Sequence, residues 1–493
     1  MARSFVYPRP RPRGLVGRRL EQHEQIFVGL AGLLVLVLLV SVPTWPLKLL
    51  TACTVALFTS WAVWMPYKGR TYLRWWEIRR TYKRALRHGD LLYRSRAPRA
   101  GRRMSGQPRP VPTPAGIPEL EWMSAPTAFG ELAVLLQTTE RMFVATLEVE
   151  AERDFGGLDE PERESLIAAF EHLLRTTAES GRIRRLQWTL RVVPTDPTGH
   201  ERDVAERRDR TTPDWLRDSY DQLQQRVAIS AEDRRLFVTL GIPYSQALVA
   251  EARNFNSLAE GFARVVGAEA ETFIRSLPLS QLRLVRTLDE ATLCSLVHSL
   301  YDPTHQIDDS LGLNRQNLWP AEVDGRNPRH IKTRTWSNPH PWFSATAWFR
   351  ELPATAVRVN FLAPLLLWID HTIRTVTIVM DLEESERALS RALSDLTNEI
   401  GQGPTGMVQN PREKAARSHA AQTVEELGEG YAGITLTGYV TVSAPSEKEL
   451  AQVKDTVRGA IIKSRMRPEW LETEHWRAFA ATLPLALGLI RSR

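Results

Sequence analysis

Two apolar runs dominate the pattern of hydrophobic and polar positions. They are Ile26–Val42 and Leu47–Met65, separated by Pro43-Thr44-Trp45-Pro46. The first carries no charge and the second carries only Lys48, near its start. As a helix the first is about 26 Å long, enough for a bilayer core of about 30 Å if its flanks snorkel. The four-residue break predicts a tight transmembrane hairpin over residues 26–66 with both flanks on one side. A buried hairpin of a soluble protein is the alternative reading; a signal peptide has no second span.

Further along, the periodicities are shorter. Trp75, Ile78, Tyr82 and Leu86 form one helical stripe among Arg and Lys, predicting within residues 67–93 a basic interfacial helix or, alternatively, a helix packed on the cytoplasmic domain. Residues 94–118 are Pro-, Gly- and Arg-rich and predict a linker. Met142–Ala151 alternates as a half-buried strand does, and Arg185–Val193 and Arg235–Pro243 predict two more. Between them, Asp159–Ser180 predicts a helix opened by Pro161 and acidic residues and closed by Gly181. Thr212–Ser230 predicts another helix, and Ser245–Leu277 more than one. Gln281–Leu300 predicts an amphipathic helix or helix pair stopped by Asp302-Pro303, and residues 303–341 predict irregular chain. Thr372–Leu382 and Gly433–Ala444 predict strands. Glu383–Ile400, Pro411–Leu427, Ser446–Arg465 and Glu472–Thr482 predict helices, the third with a capping box between Ser446 and Glu449.

Alternation of strands and helices in this order predicts an α+β chain: an N-terminal transmembrane helical hairpin followed by cytoplasmic ferredoxin-like α+β units. The expected organisation is a basic arm at 1–25, the hairpin at 26–66, the interfacial helix at 67–93 and the linker at 94–118. A cytoplasmic α+β domain at 119–280 and a second α+β unit at 281–493 complete it.

Charge sharpens the first part of that picture. Arg3, Arg9, Arg11, Arg13, Arg18 and Arg19 precede the hairpin, and Lys68, Arg70, Arg74, Arg79, Arg80, Lys83, Arg84 and Arg87 follow it. The break between the runs has no Lys or Arg, so the positive-inside rule expects a two-span protein of the cell (inner) membrane with both termini cytoplasmic. The net charge of +7 is concentrated in the first hundred or so residues. That distribution points to anionic membrane lipids as a partner, whereas a nucleic-acid partner would call for a basic patch on the folded domains. Two cysteines, Cys53 and Cys294, make no disulfide framework.

Candidate chemistry is sparse. No GxxxxGK[ST] occurs. Gly401, Gly403 and Gly406 spell a GxGxxG, but after a predicted helix rather than a strand, and Pro404 removes a donor. The spacing therefore predicts a helix cap and turn. The eleven histidines form no HExxH and no ligand cluster, and no GxSxG is present. Glu383 and Glu384, and Glu425 and Glu426, are expected on solvated helix faces; His371 and Arg374 are expected as fold detail. The expectation is no catalytic, cofactor-binding or metal residue, no cofactor, and no enzyme.

His371-Thr372-Ile373 leading into a strand, Gly438-Tyr439-Val440-Thr441-Val442-Ser443-Ala444 followed by Glu449-Leu450, and Ala478-Phe479 with Leu483-Pro484-Leu485 together resemble a known arrangement. It is the N-terminal, non-ATPase half of the conjugation ATPase of type IV secretion (the CagE/TrbE/VirB class). The Arg-rich start and hairpin resemble that system's two-helix inner-membrane subunit. The likeness covers about the last 120 residues well and Arg235–Leu300 loosely. In the family the Leu-Pro segment leads into an ATPase domain with a P-loop, which this sequence lacks. The resemblance implies a membrane-anchored scaffold, as in actinobacterial conjugative-element membrane proteins. Its implied partners are a separate P-loop secretion ATPase and other inner-membrane secretion subunits, within an oligomeric complex. The alternatives are a membrane component of type VII secretion, or a membrane-tethered enzyme with an unrecognised site.

Overall fold

The structure, a computed structural model, describes residues 22–41, 44–64, 66–67, 70–95, 112–153, 157–194, 213, 215–216, 218–220, 222, 232–353, 357–384, 386–390, 392–393, 424–425 and 433–488. They fall into two compact units, one within Pro8–Leu91 and one from Leu92 onward.

The smaller unit holds helices α1 (Gln22–Ser41) and α2 (Trp45–Trp64), the two-residue strands β1 (Pro66–Tyr67) and β2 (Arg70–Thr71), and helix α3 (Tyr72–His88). Among the described residues no helix is long and apolar enough to cross a membrane. This corrects the expected transmembrane hairpin and the membrane localisation drawn from it. The physical reason lies in helix composition. α1 opens on Gln-His-Glu-Gln, which leaves roughly 16 apolar residues, about 24 Å of helix, against a core of about 30 Å. In α2, Lys48, Thr51, Thr54, Thr59 and Ser60 interrupt the apolar run. The hydroxyls of Thr51, Thr54 and Thr59 donate to carbonyls one turn back. On α3, Trp75, Ile78 and Ala85 are buried, while Leu86 of the expected stripe is exposed.

The larger unit is organised by one sheet of thirteen strands. In chain order these are β3 (Leu92–Arg94), β4 (Leu120–Thr127), β5 (Gly130–Gln137), β6 (Met142–Ala151), β7 (Arg185–Pro194), β8 (Glu232–Pro243), β9 (Leu282–Thr287), β10 (Glu322–Asp324), β11 (Ile331–Arg334), β12 (Trp342–Glu351), β13 (Ile373–Glu383), β14 (Gly433–Ala444) and β15 (Arg467–Trp470). The spatial order is β3-β10-β11-β12-β14-β13-β7-β8-β6-β5-β4, with β15 on β12 and β9 on β6. Every pairing is antiparallel. The helices with both ends among the described residues are α4 (Glu160–Glu179), α5 (Gln246–Ala252), α6 (Leu258–Ser276), α7 (Glu290–Tyr301), α8 (Ala363–Leu366), α9 (Glu447–Lys463) and α10 (His475–Thr482).

The expected fold class is therefore overturned in its sheet as well as its hairpin: the chain is mixed α/β around a single large antiparallel sheet. The reason is the β7–β13 ladder, which runs from Arg185 opposite Asp381 to Val192 opposite Arg374. Each strand would otherwise be an edge with a row of unpaired backbone groups, and pairing satisfies both.

Two successive segments repeat the same path. The first is β6-α4-β7-β8-α5/α6-β9-α7 and the second is β12-α8-β13-β14-α9-β15-α10. The strands lie in the order β9-β6-β8-β7 and β15-β12-β14-β13, the split β-α-β arrangement in each case. Equivalent strands share residues: Phe143-Val144-Ala145-Thr146 matches Phe343-Ser344-Ala345-Thr346. Likewise Val238-Thr239-Leu240-Gly241-Ile242-Pro243 matches Val440-Thr441-Val442-Ser443-Ala444-Pro445. On one face α4, α5 and α6 pack on the first repeat, and α8 and α9 on the second. α7 and α10 pack on the other face.

Local signals account for the helix starts. Asp159 caps α4 in a reciprocal box with Glu162, and Ser257 and Ser446 accept from the N–H groups of Glu260 and Glu449. Two expectations fail locally. Gln281–Leu300 is strand β9 and then α7, because Leu282 to Thr287 extends along β6 instead of closing a helical turn. The 303–341 segment holds β10 and β11, which extend the sheet beyond β12.

Candidate functional site: a polar seam on the sheet

The face under α7 and α10 carries polar side chains where an antiparallel sheet would ordinarily bury apolar ones. Thr146 and Thr239 stand opposite one another with hydroxyls 3.1 Å apart. The equivalent pair in the second repeat, Thr346 and Thr441, is 2.8 Å apart. All four are buried. Each pair satisfies hydroxyls that could not be hydrated there.

Across this row runs the segment 482–488. The Thr377 hydroxyl donates to the Thr482 carbonyl at 3.4 Å, and the Thr441 and Thr482 hydroxyls meet at 3.2 Å. Gln187 holds the segment with both ends of its amide. Its Nε2 donates to the Leu483 carbonyl at 2.7 Å, and its Oε1 accepts from the Ala486 N–H at 2.9 Å. Thr146 donates to the Pro484 carbonyl at 3.3 Å, and Gln137 to that of Leu485. Arg185 Nη1 donates to the Ala486 carbonyl at 2.8 Å, while its Nε is fixed by Asp381 at 2.5 Å. Leu483, Leu485 and Ala486 join the apolar core formed with α7. Gly488, at φ +71°, lies so close to the Arg185 guanidinium that a Cβ would overlap it.

The same row of β7 continues to Arg191, which is buried and donates to the carbonyls of Pro303 and His305 at 3.5 Å. Burial lowers its pKa to about 10, partly offset by Asp233. Beside it, Arg235 forms a bidentate pair with Asp308, and Arg286 bridges Asp308 at 2.8 Å to Glu148 at 2.7 Å. The hydrogen bonds from Arg235 hold the Asp308 carboxyl down to about 2. Arginines of three strands, β7, β8 and β9, thus fasten the 302–310 loop. Ser295 adds a hydroxyl 3.0 Å from His305 Nε2. That pair has the separation of a nucleophile and its base, but Ser295 is fully buried and also reaches the carbonyls of Gln306 and Asp309. No carbonyl substrate has access to it, so it serves as a loop clamp. Burial raises the pKa of the Cys294 thiol on the same helix, which disfavours a thiolate.

The residues singled out in the sequence distribute as follows. Arg374 is fully buried in a bidentate pair with Glu232, at 2.9 and 3.0 Å, and also donates to the Thr372 hydroxyl and the Leu366 carbonyl. Burial pushes the Glu232 carboxyl up, and its bonds from Arg374 and Arg234 outweigh that and lower its pKa. His371 adopts φ +55° at the turn into β13. Glu383 ends β13, and Glu384 follows it. Gly401, Gly403, Gly406 and Glu426 lie outside the described residues. Among the described residues no group of three His, Cys, Asp or Glu is placed to hold a metal ion.

The segments carrying the family resemblance meet one another. Thr441 touches Thr482, Phe479 packs on Tyr301 at 4.8 Å, and Leu483 and Leu485 enter the seam. Gln137, Gln187, Thr146, Thr239 and Thr377 were not singled out from the sequence. The signal that finds them is the repeated Ala-Thr and Val-Thr of equivalent strands, together with Thr and Gln at inward positions. No family model matches the chain, and no curated protein matches it.

Proposed function

We propose that this chain is a non-enzymatic scaffold subunit of a type IV secretion or conjugation apparatus that anchors a separate P-loop ATPase. One observation carries the reading: the buried polar side chains of the seam are committed to the chain's own backbone. Gln187, Gln137, Arg185 and Arg191 all donate to main-chain carbonyls, which is chemistry that holds polypeptide and makes no bond. The resemblance of β14, the start of α9, α10 and Leu483-Pro484-Leu485 to the non-ATPase half of the conjugation ATPase supplies the class of partner.

The test is affinity capture of the tagged full-length chain from its own cells, with co-purifying proteins identified by mass spectrometry. Recovery of a P-loop ATPase together with other secretion subunits is expected. Capture without any ATPase overturns the anchoring role. Hydrolysis of ATP by the purified chain above a mock preparation overturns the non-enzymatic one.

A further inference from the structure

Helix α3 offers a different face from the one its apolar stripe suggests. Trp75, Ile78 and Ala85 are buried and Tyr82 is half-buried, so most of that stripe is turned into the protein. The exposed side carries Tyr72, Trp76, Arg79, Arg80, Lys83 and Arg87. At about 3.6 residues per turn these fall within an arc of roughly 100°. Arg84 and Leu86 are exposed on its two flanks. The only carboxylate of α3, Glu77, is half-buried and lies off the arc. Beyond the helix Asp90 is exposed, against Arg79, Arg80, Lys83, Arg84 and Arg87.

The basic residues are interleaved with aromatic ones. The Arg80 guanidinium lies over the Trp76 ring, 5.0 Å from its centroid, and Trp76 is itself 53 % exposed. One turn earlier, Tyr72 meets Trp61 of α2 at 4.9 Å, and Trp61 meets Phe58 at 6.0 Å. Leu57, one turn before Trp61 on the same side of α2, is 72 % exposed. Through Trp76 and Tyr72 a row of bases therefore adjoins exposed apolar side chains, all within the smaller unit.

We propose that this face of α3 binds the surface of an anionic lipid bilayer, lying flat on the headgroups. Arg79, Arg80, Lys83 and Arg87 meet the phosphates, while Tyr72, Trp76 and Trp61 sit at the boundary of headgroup and acyl chain. Each Lys or Arg near such a surface adds to the attraction. Tyr and Trp settle at that depth because their rings are apolar with a polar edge. The apolar neighbours select lipid over nucleic acid, the other polyanion that a basic face attracts. A phosphate backbone has nothing to offer Leu57 and Phe58, whereas acyl chains begin directly beneath the headgroups. The contact is made from one side of the bilayer and requires no span. It holds whether or not the chain serves a secretion apparatus.

The test is flotation of the full chain with vesicles of phosphatidylcholine alone or of phosphatidylcholine with phosphatidylglycerol. Stronger binding to the anionic vesicles is expected, falling at high salt as the charges are screened. Lys83→Gln with Arg87→Gln should lower it at least about tenfold. Both residues are exposed and glutamine keeps the helix propensity, so circular dichroism stays that of the wild type. Lys83→Arg with Arg87→Lys, which exchanges the bases and keeps the charge, should bind as the wild type does. Equal binding to the two kinds of vesicle overturns the proposal. So does an equal loss in Arg253→Gln with Arg264→Gln, exposed bases of the larger unit, which would make net charge the cause. A fluorescein-labelled single-stranded oligonucleotide separates the other polyanion. Its tight binding, lost in the Lys83/Arg87 glutamine variant while flotation is unchanged, would assign the face to nucleic acid and overturn the lipid reading.

Discussion

Thr189 of β7 and Thr377 of β13 face one another at the centre of the sheet, each buried, and the two repeats are related by a half-turn about that pair. Thr189 accepts from Gln187 at 3.0 Å, and Thr377 donates to Thr482. The segment 482–488 therefore begins where the repeats meet and ties the second to the first.

Gln187 is the centre of that tie. Replacing it with Leu leaves the Ala486 N–H buried without the Gln187 oxygen and the Leu483 carbonyl with the Leu485 N–H in place of two donors. A loss of about 2–3 kcal/mol is expected, measured as a lower urea midpoint with an unchanged slope.

Gly488 tests the far end of the segment. Gly488→Ala puts a Cβ into a left-handed backbone position, which costs about 1 kcal/mol by itself. It also displaces the Arg185 guanidinium from Asp381 and the Ala486 carbonyl. The combined destabilisation should exceed that of Arg185→Lys, and thermal unfolding of the two variants makes the comparison.

The Arg374–Glu232 pair is buried on both sides. Arg374→Met leaves the buried Glu232 carboxylate with Arg234, at 3.0 Å, as its remaining partner, so the cost should lie at the lower end of about 3–5 kcal/mol. Arg374→Met with Glu232→Leu removes both charges and should recover most of that loss. A denaturant series on the three proteins decides it; equal losses in the single and double variants would show that packing, and not charge, is what Arg374 provides.

His475 lies buried on α10, with Nδ1 accepting from the Thr346 N–H at 3.1 Å. Burial first, then Lys454 and His330, hold its pKa down to about 3. The unfolded chain binds this proton near pH 6.5 and the folded chain does not, so stability falls as pH drops below about 6.5, by up to about 1.4 kcal/mol per pH unit. His298, His305 and His330 are also lowered by burial and act in the same direction. Urea midpoints between pH 7 and pH 5 should decline, and less steeply in His475→Gln.

Asp308 has the opposite sign. Its folded pKa, held at about 2 by Arg235 and then Arg286, is below the unfolded value near 3.9. Its contribution is present above pH 4 and is lost as pH falls toward 2. The stability gap between wild type and Asp308→Asn should therefore close over that window, modestly, because the carboxyl is half exposed and screened.

How much of this was legible beforehand depended on whether the cause was local. Met142–Ala151 and Gly433–Ala444 could be read as strands because their own residues alternate or are β-branched. α4 could be read from Pro161 and the acidic residues that open it, and α9 from Ser446 with Glu449, since helix-start signals act within one turn. β9, β10 and β11 were not legible, because a short strand is defined by the neighbour that pairs with it. The apolar runs of α1 and α2 suggested spans that the helices, as built, do not have the length and apolarity to make.

The candidate site divides along the same line. By itself the sequence determined the starts of α4 and α9, the strongest strands, and the absence from it of a P-loop, an HExxH or a GxSxG. Only the tertiary structure decided that β7 and β13 join two repeats in one sheet. It also decided that Gln187 meets Leu483, 296 positions away in sequence. The reason is physical: backbone pairing and side-chain contact between distant segments depend on register, and register belongs to the folded chain.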